Sequence, residues 1–80
     1  MQRIVVKGKE TYLYAVTIAR LQVELVKAGL LKFNESKGEF DDRTSKALEI
    51  FQKSKKLQPT GFPDQATLWL LFDSHVKNVQ

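Results

Sequence analysis

Eighty residues are one domain's worth of chain, and a domain of that size buries only about 60% of the surface its unfolded chain exposes, so one modest core is the limit. With 42% apolar and 28% charged residues and no Cys, the composition is that of an ordinary globular protein, and it excludes both a disulfide framework and a thiolate metal site. The formal charge of +4 is too small to single out one polyanionic partner, and its densest group, Lys53, Lys55 and Lys56, reads first as a solvated helix end.

The N-terminal segment, residues 1–15, does not read like the rest. Ile4-Val5-Val6 and Tyr12-Leu13-Tyr14 are β-favouring runs on either side of Lys7-Gly8-Lys9-Glu10-Thr11, which suits a turn, so a hairpin or a pair of short extended segments is expected. A two-stranded hairpin is marginal alone in water; it must pack on helices, pair with a neighbour or fray. The apolar run in this segment is too short for the h-region of a signal peptide, and no stretch approaches the ~20 apolar residues of a membrane span. If the domain works outside the cell, something else exports it: lysis, a secretion apparatus or a larger parent chain.

Residues 16–77 read as three helices. Ile18, Leu21, Leu25 and Ala28 follow 3/4 spacing, with Thr17 as N-cap and Gly29 as the stop of the first helix. Residues 30–38 form a connection whose Leu30, Leu31 and Phe33 would close one end of the core. Asp41 then caps a second helix that presents Ala47, Ile50 and Phe51 on one face with Leu48 on its flank, and runs to about Ser54, with Leu57 following as an anchor. Asp64 caps a third, with Pro63 stiffening the approach and Leu68, Leu71, Phe72 and Val76 facing inward. Both helix starts share one pattern, Gly-x-x-Asp-x-x-Thr, at residues 38–44 and 61–67, which makes Asp41, Thr44, Asp64 and Thr67 the structural caps of a pseudo-repeated lead-in loop. The fold class is therefore mainly α, a three-helix bundle with a short N-terminal extended or hairpin segment.

These residues resemble the peptidoglycan-binding domain family of bacterial and phage wall hydrolases, whose fold also occurs in the propeptides of matrix metalloproteases. The resemblance begins at Ile18-x-x-Leu21-Gln22-x-x-Leu25-x-x-Ala28-Gly29-Leu30. It continues through Gly38-x-Phe40-Asp41-x-x-Thr44-x-x-Ala47-Leu48-x-x-Phe51-Gln52 and ends with Leu57-x-x-x-Gly61-x-x-Asp64-x-x-Thr67. It implies an orthogonal three-helix bundle and a non-catalytic wall-binding role at the bacterial cell envelope, without a signal peptide of its own. Asp41 and Lys56 stand where the family often has Gly, and Thr60 where it often has Asp. The Trp expected at position 68 comes one place later as Trp69, about 100° further round a helix.

The residues with chemistry to offer are few. Gln22 and Gln52 follow apolar anchors, and two uses stay open for them: hydrogen bonds to loop backbone, or a grip on the amides of a muropeptide. Phe33 and Phe62, near the lead-in loops, would form a ligand-facing rim or lid the core, and Trp69, like Tyr12 and Tyr14, would reach the surface. Gln22, Phe33, Gln52, Phe62 and Trp69 are thus the candidate ligand-binding set. Asp41 and Asp64 have capping tasks, and nothing marks the cleft that a glycosidase carboxylate pair flanks. His75 is the sole histidine and lacks partners at metal-ligand spacing, so neither enzyme chemistry nor a metal or other cofactor is expected. The partner expected is a peptidoglycan stem peptide or glycan, bound so as to hold an attached hydrolase or an injection or tail component on the wall. The alternative is a protein-protein interaction or assembly domain of a phage or secretion apparatus. Nucleic acid is disfavoured, because residues 65–77 carry Lys77 as their one lysine or arginine.

Overall fold

The computed structural model describes residues 1–77, and side chains as far as Asp73. Along the chain lie strands β1 (Gln2–Val6) and β2 (Lys9–Leu13), helix α1 (Ala15–Lys27), a 3₁₀ turn at Phe33–Glu35, and helices α2 (Asp42–Ser54) and α3 (Gln65–Lys77). The fold is a mainly α three-helix bundle with an N-terminal β-hairpin, and α1 packs against both α2 and α3.

The hairpin is tighter than the sequence suggests. Only Lys7 and Gly8 form the turn, both with positive φ (50° and 84°), as in the primed turns whose twist matches the flanking strands. Lys9 and Thr11 belong to β2, and the register pairs Val6 with Lys9 and Ile4 with Thr11. Ile4, 2% exposed, enters the same core as Ile18, Leu21, Leu25, Leu48 and Leu71. The hairpin therefore meets its stability requirement by packing on the helices.

Helix α1 begins at Ala15, with Tyr14 as a cap residue that makes no side-chain capping bond, so Thr17 lies inside the first turn instead of capping it. The chain leaves β2 at Leu13 and passes through one extended residue, Tyr14 (φ −67°, ψ 149°), straight into the helix, which leaves no length for a lead-in loop. Ala28 is the C-cap and is exposed, while Leu31, two places past Gly29, is buried.

Two helices end in the same hydrogen-bonded reversal. After α1, Gly29 N–H donates to Val26 O (3.0 Å) and Leu30 N–H to Leu25 O (2.9 Å); after α2, Lys56 N–H donates to Lys53 O (3.1 Å) and Leu57 N–H to Gln52 O (2.9 Å). The left-handed residue of the second is Lys56 (φ 62°), at a cost of roughly 1–2 kcal/mol for a residue with a Cβ.

On α2 the buried stripe is Thr44, Ala47, Leu48, Phe51 and Gln52. Leu48 is fully buried and Ile50 is 54% exposed, the reverse of the sequence reading, because the stripe is centred on two polar residues that apolar periodicity leaves out. Phe33 lies on the 3₁₀ turn at 85% exposure and closes nothing. In α3, Leu71 is buried and Leu68 and Phe72 pack against the core, while the side chains of His75 and Val76 lie outside those described.

The hairpin's share in the core is measurable. Ile4→Ala lowers unfolding free energy by about 2–4 kcal/mol, as for a buried Ile or Leu elsewhere, whereas Val5→Ala, 53% exposed, changes it by less than about 0.5 kcal/mol. Urea denaturation of both variants checks this; an Ile4→Ala midpoint equal to the parent's would make the hairpin an appendage.

Candidate functional site

The two lead-in loops are each organised by one buried glutamine. In the first, Gln22 Oε1 accepts the Gly38 N–H (2.8 Å), and Nε2 donates to Glu39 O (2.8 Å) and to Thr44 Oγ1 (3.0 Å). Thr44 passes the pattern on, since its hydroxyl donates to Asp41 Oδ1 (3.0 Å), the same oxygen that accepts the Thr44 N–H (3.0 Å) and so caps α2.

The second loop repeats the glutamine's bonds and the backbone cap. Gln52 Oε1 accepts the Gly61 N–H (2.8 Å), and Nε2 donates to Phe62 O (3.0 Å) and Thr67 Oγ1 (2.9 Å), with a longer contact to Thr60 Oγ1 (3.3 Å). Asp64 Oδ1 accepts the Thr67 N–H (2.8 Å) at the start of α3. Each amide thus ties the glycine, the residue after it and the threonine of its Gly-x-x-Asp-x-x-Thr motif. The threonines are not caps themselves; their N–H groups are what the aspartates cap.

Both glutamines are 0% exposed and their two amide hydrogens are committed. Of the two uses open in the sequence, the structure shows the first: from α1 and α2, the Gln22 and Gln52 side chains bond to the backbone of the lead-in loops. Among the described residues no buried side-chain nitrogen or oxygen lacks a partner.

Gly61 is held more tightly than its counterpart. Its φ is +74°, and a Cβ there would stand 2.6 Å from Ser45 Oγ and 3.0 Å from Ser45 O. The Ser45 hydroxyl donates to Gly61 O (2.9 Å), so a side chain in the first turn of α2 holds the backbone of the second lead-in loop. At Gly38 the same Cβ would meet open space.

Of the other candidates, Phe62 is 9% exposed, while Phe33 (85%) and Trp69 (71%) stand out in solvent. Neither Phe33 nor Trp69 lines the grooves found on the surface. One groove, of about 470 Å³, runs between the C-terminal ends of α1 and α2. It has Leu30, Ile50, Phe51 and Leu71 below, and Glu24, Lys27, Ser54 and Lys55 around it. Lys27 is 3.8 Å from Glu24, and the Lys55 ammonium lies 5.8 Å from the centroid of the Phe51 ring. The sequence reading missed this groove because it is assembled from helix ends that meet only in the fold, and because Ile50 was assigned to the core. Among the described residues no group of three or more His, Cys, Asp or Glu could hold a metal ion, and no helix is long and apolar enough to cross a membrane.

Burial pushes the Asp41 carboxyl up, but the Thr44 amide and hydroxyl, its own backbone N–H and the nearby Arg43 outweigh that and hold it below the ordinary aspartate range. A depressed folded-state pKa contributes stability that is complete above the unfolded value, about 3.9, and is lost as pH falls toward the folded one. Asp41→Asn keeps the cap and flattens this acid dependence, while Asp41→Ala costs about 1 kcal/mol at neutral pH; thermal melts from pH 7 to 2 separate the two. Gln52→Leu strands the Gly61 N–H, the Phe62 carbonyl and the Thr67 hydroxyl, at roughly 1–3 kcal/mol each. A loss of at least about 3 kcal/mol is expected in urea unfolding; a loss under 1 kcal/mol would show the clamp to be dispensable.

No curated protein and no solved structure matches the chain. The family model described as "Putative peptidoglycan binding domain" does, over residues 16–71. That segment opens at the start of α1, contains both glutamine clamps with their Gly-x-x-Asp-x-x-Thr loops, and closes at Leu71 in α3, and with most of its length so matched the chain belongs to the peptidoglycan-binding domain family.

Proposed function

We propose that this domain is a non-catalytic module that binds peptidoglycan through the groove between the C-terminal ends of α1 and α2, and so holds an attached hydrolase or an injection or tail component on the wall. The family match carries the reading, and the groove lies wholly within the matched residues. A stem peptide offers small apolar side chains, amides and free carboxylates. The groove offers Leu30, Ile50 and Phe51 to the first and Lys27 and Lys55 to the last. Lys55 makes no ion pair among the described residues, so its charge is available. Phe33 and Trp69 are the aromatics proposed to stack on glycan where the wall surface extends past the groove. A shallow site suffices for such a module, because tethering supplies effective concentration.

A second reading, an interaction or assembly domain, is favoured by one observation: the hairpin lies outside the matched residues and has a free strand edge.

Purified domain mixed with insoluble sacculi is expected to sediment with them at low and moderate salt. Replacing Ile50 by Asp and Lys55 by Glu together weakens retention by about tenfold or more, since burying one aliphatic side chain is worth about 1.5 kcal/mol or more and 1.4 kcal/mol is a factor of ten. Unchanged circular dichroism and melting would show the variant folded. Retention equal to the parent's would remove the groove from the proposal, and absence of retention at both salt concentrations would end it.

A further inference from the structure

Strand β1 has β2 on one side and no strand on the other. Because the turn holds only Lys7 and Gly8, Val6 and Lys9 are the hydrogen-bonded pair next to it, and alternation turns the backbone N–H and C=O of Arg3 and Val5 away from β2. Among the described residues none of these groups is bonded to another part of the chain. Beyond this edge lies a groove of about 460 Å³, with residues 3–7 on one wall and Phe40, Asp41, Asp42 and Ser45 on the other. Consecutive strand residues point their side chains to opposite faces, so a groove lined by the whole run is viewing the strand edge-on, along its backbone.

The slot is bounded at both ends. At one, Gln2 Nε2 donates to Phe40 O (3.0 Å) and Gln2 Oε1 accepts the Phe40 N–H (2.8 Å), a side-chain amide pairing with a peptide unit as a neighbouring strand would. At the other, Lys7 Nζ stands 3.6 Å from Glu49 Oε2. The charges between them identify the occupant. The Arg3 guanidinium is held by Glu10 (2.6 Å) and Lys7 by Glu49, so both cations on the strand wall are already paired. On the helix wall, Asp41 Oδ1 serves Thr44, whereas the Asp42 carboxylate has neither an ion pair nor a side-chain hydrogen bond among the described residues. Although the chain as a whole carries +4, the charge left over inside this groove is negative.

The geometry points to β1 as the docking edge for an extended segment of a partner protein, added as a third strand between β1 and the start of α2, with a lysine or arginine of that segment set against Asp42. The strand supplies backbone hydrogen bonds at Arg3 and Val5, Ile4 and Phe40 supply the apolar floor, and Asp42 supplies the preference in sequence.

A displayed library of random peptides about seven residues long, enough to span β1, panned on the whole chain tests this. The expected outcome is enrichment of sequences with Lys or Arg at one fixed position. Asp42→Asn then weakens their binding by about tenfold and erases the basic preference. Val5→Pro, which removes an outward N–H from an edge strand and leaves the ladder to β2 in place, weakens it by a similar factor. N-methylation of alternate peptide amides makes the same test against the parent chain, whatever Val5→Pro does to folding. Three results would overturn the assignment: no enriched peptide, enriched peptides that bind Asp42→Asn as tightly as the parent and tolerate N-methylation, or a concentration-dependent dimer formed through the hairpin, which would give the edge to a second copy of this chain.

Discussion

Two side-chain amides fix where the irregular parts of this molecule go. A loop that runs beside a core carries peptide groups that must be bonded, because an unpaired buried N–H or carbonyl costs as much as a lost hydrogen bond. Helices satisfy their own; the loops before α2 and α3 do not. Glutamine answers the need with one group, since its planar amide presents an acceptor and two donors at once. Gln22 reaches from α1 to the loop before α2, and Gln52 from α2 to the loop before α3, so each helix holds the start of the next. With no cysteine in the chain, these links take the place that covalent staples fill in other small domains.

This arrangement decides what kind of surface the domain presents. Both lead-in loops are tied down by buried hydrogen bonds, so the groove beside the first of them needs little ordering when a ligand arrives, which lowers the entropic cost of binding. Helix α2 contributes to both grooves, with Asp42 and Ser45 at its start and Ile50, Phe51, Ser54 and Lys55 at its end. Along the helix axis their nearest lining residues, Ser45 and Ile50, are about 7.5 Å apart and their outermost, Asp42 and Lys55, about 20 Å. A wall polymer and a protein segment would therefore meet the domain toward opposite ends of one helix. The hairpin belongs to this rigid unit, because Ile4 shares the core and Gln2 is pinned to Phe40.

The sequence shows the fold more clearly than the site. Three helices, their ends at Gly29 and Ser54, and the aspartates that open α2 and α3 follow from local chemistry: capping side chains, left-handed residues and 3.6-residue spacing. The left-handed Lys56 is legible too, since the resemblance leaves a non-glycine where glycine is usual. The readings that changed all depend on distant residues. Thr17 reads as a cap until the hairpin is known to run directly into α1. Ile50 and Leu48 exchange places because Thr44 and Gln52, though polar, occupy the buried stripe. Phe33 and Phe62 look alike in sequence, yet Phe33 lies on an exposed 3₁₀ turn ahead of the segment that Gln22 binds, whereas Phe62 lies within the loop whose backbone Gln52 holds. The grooves have no local signature, since each is built from chain ends brought together only by packing.

The contact between Ser45 and Gly61 imposes a rule on how sequences of this kind can diverge. The serine hydroxyl and the glycine carbonyl face each other at 2.9 Å with no room for a further carbon on the glycine, so the distance from α2 to the approach of α3 is gauged by two of the smallest residues available. Gly61 cannot take a side chain while Ser45 and its backbone stay where they are. A side chain at position 61 would push the approach of α3 away from α2, and trimming Ser45 alone would not restore the spacing, because the Ser45 carbonyl stands in the way as well as its hydroxyl.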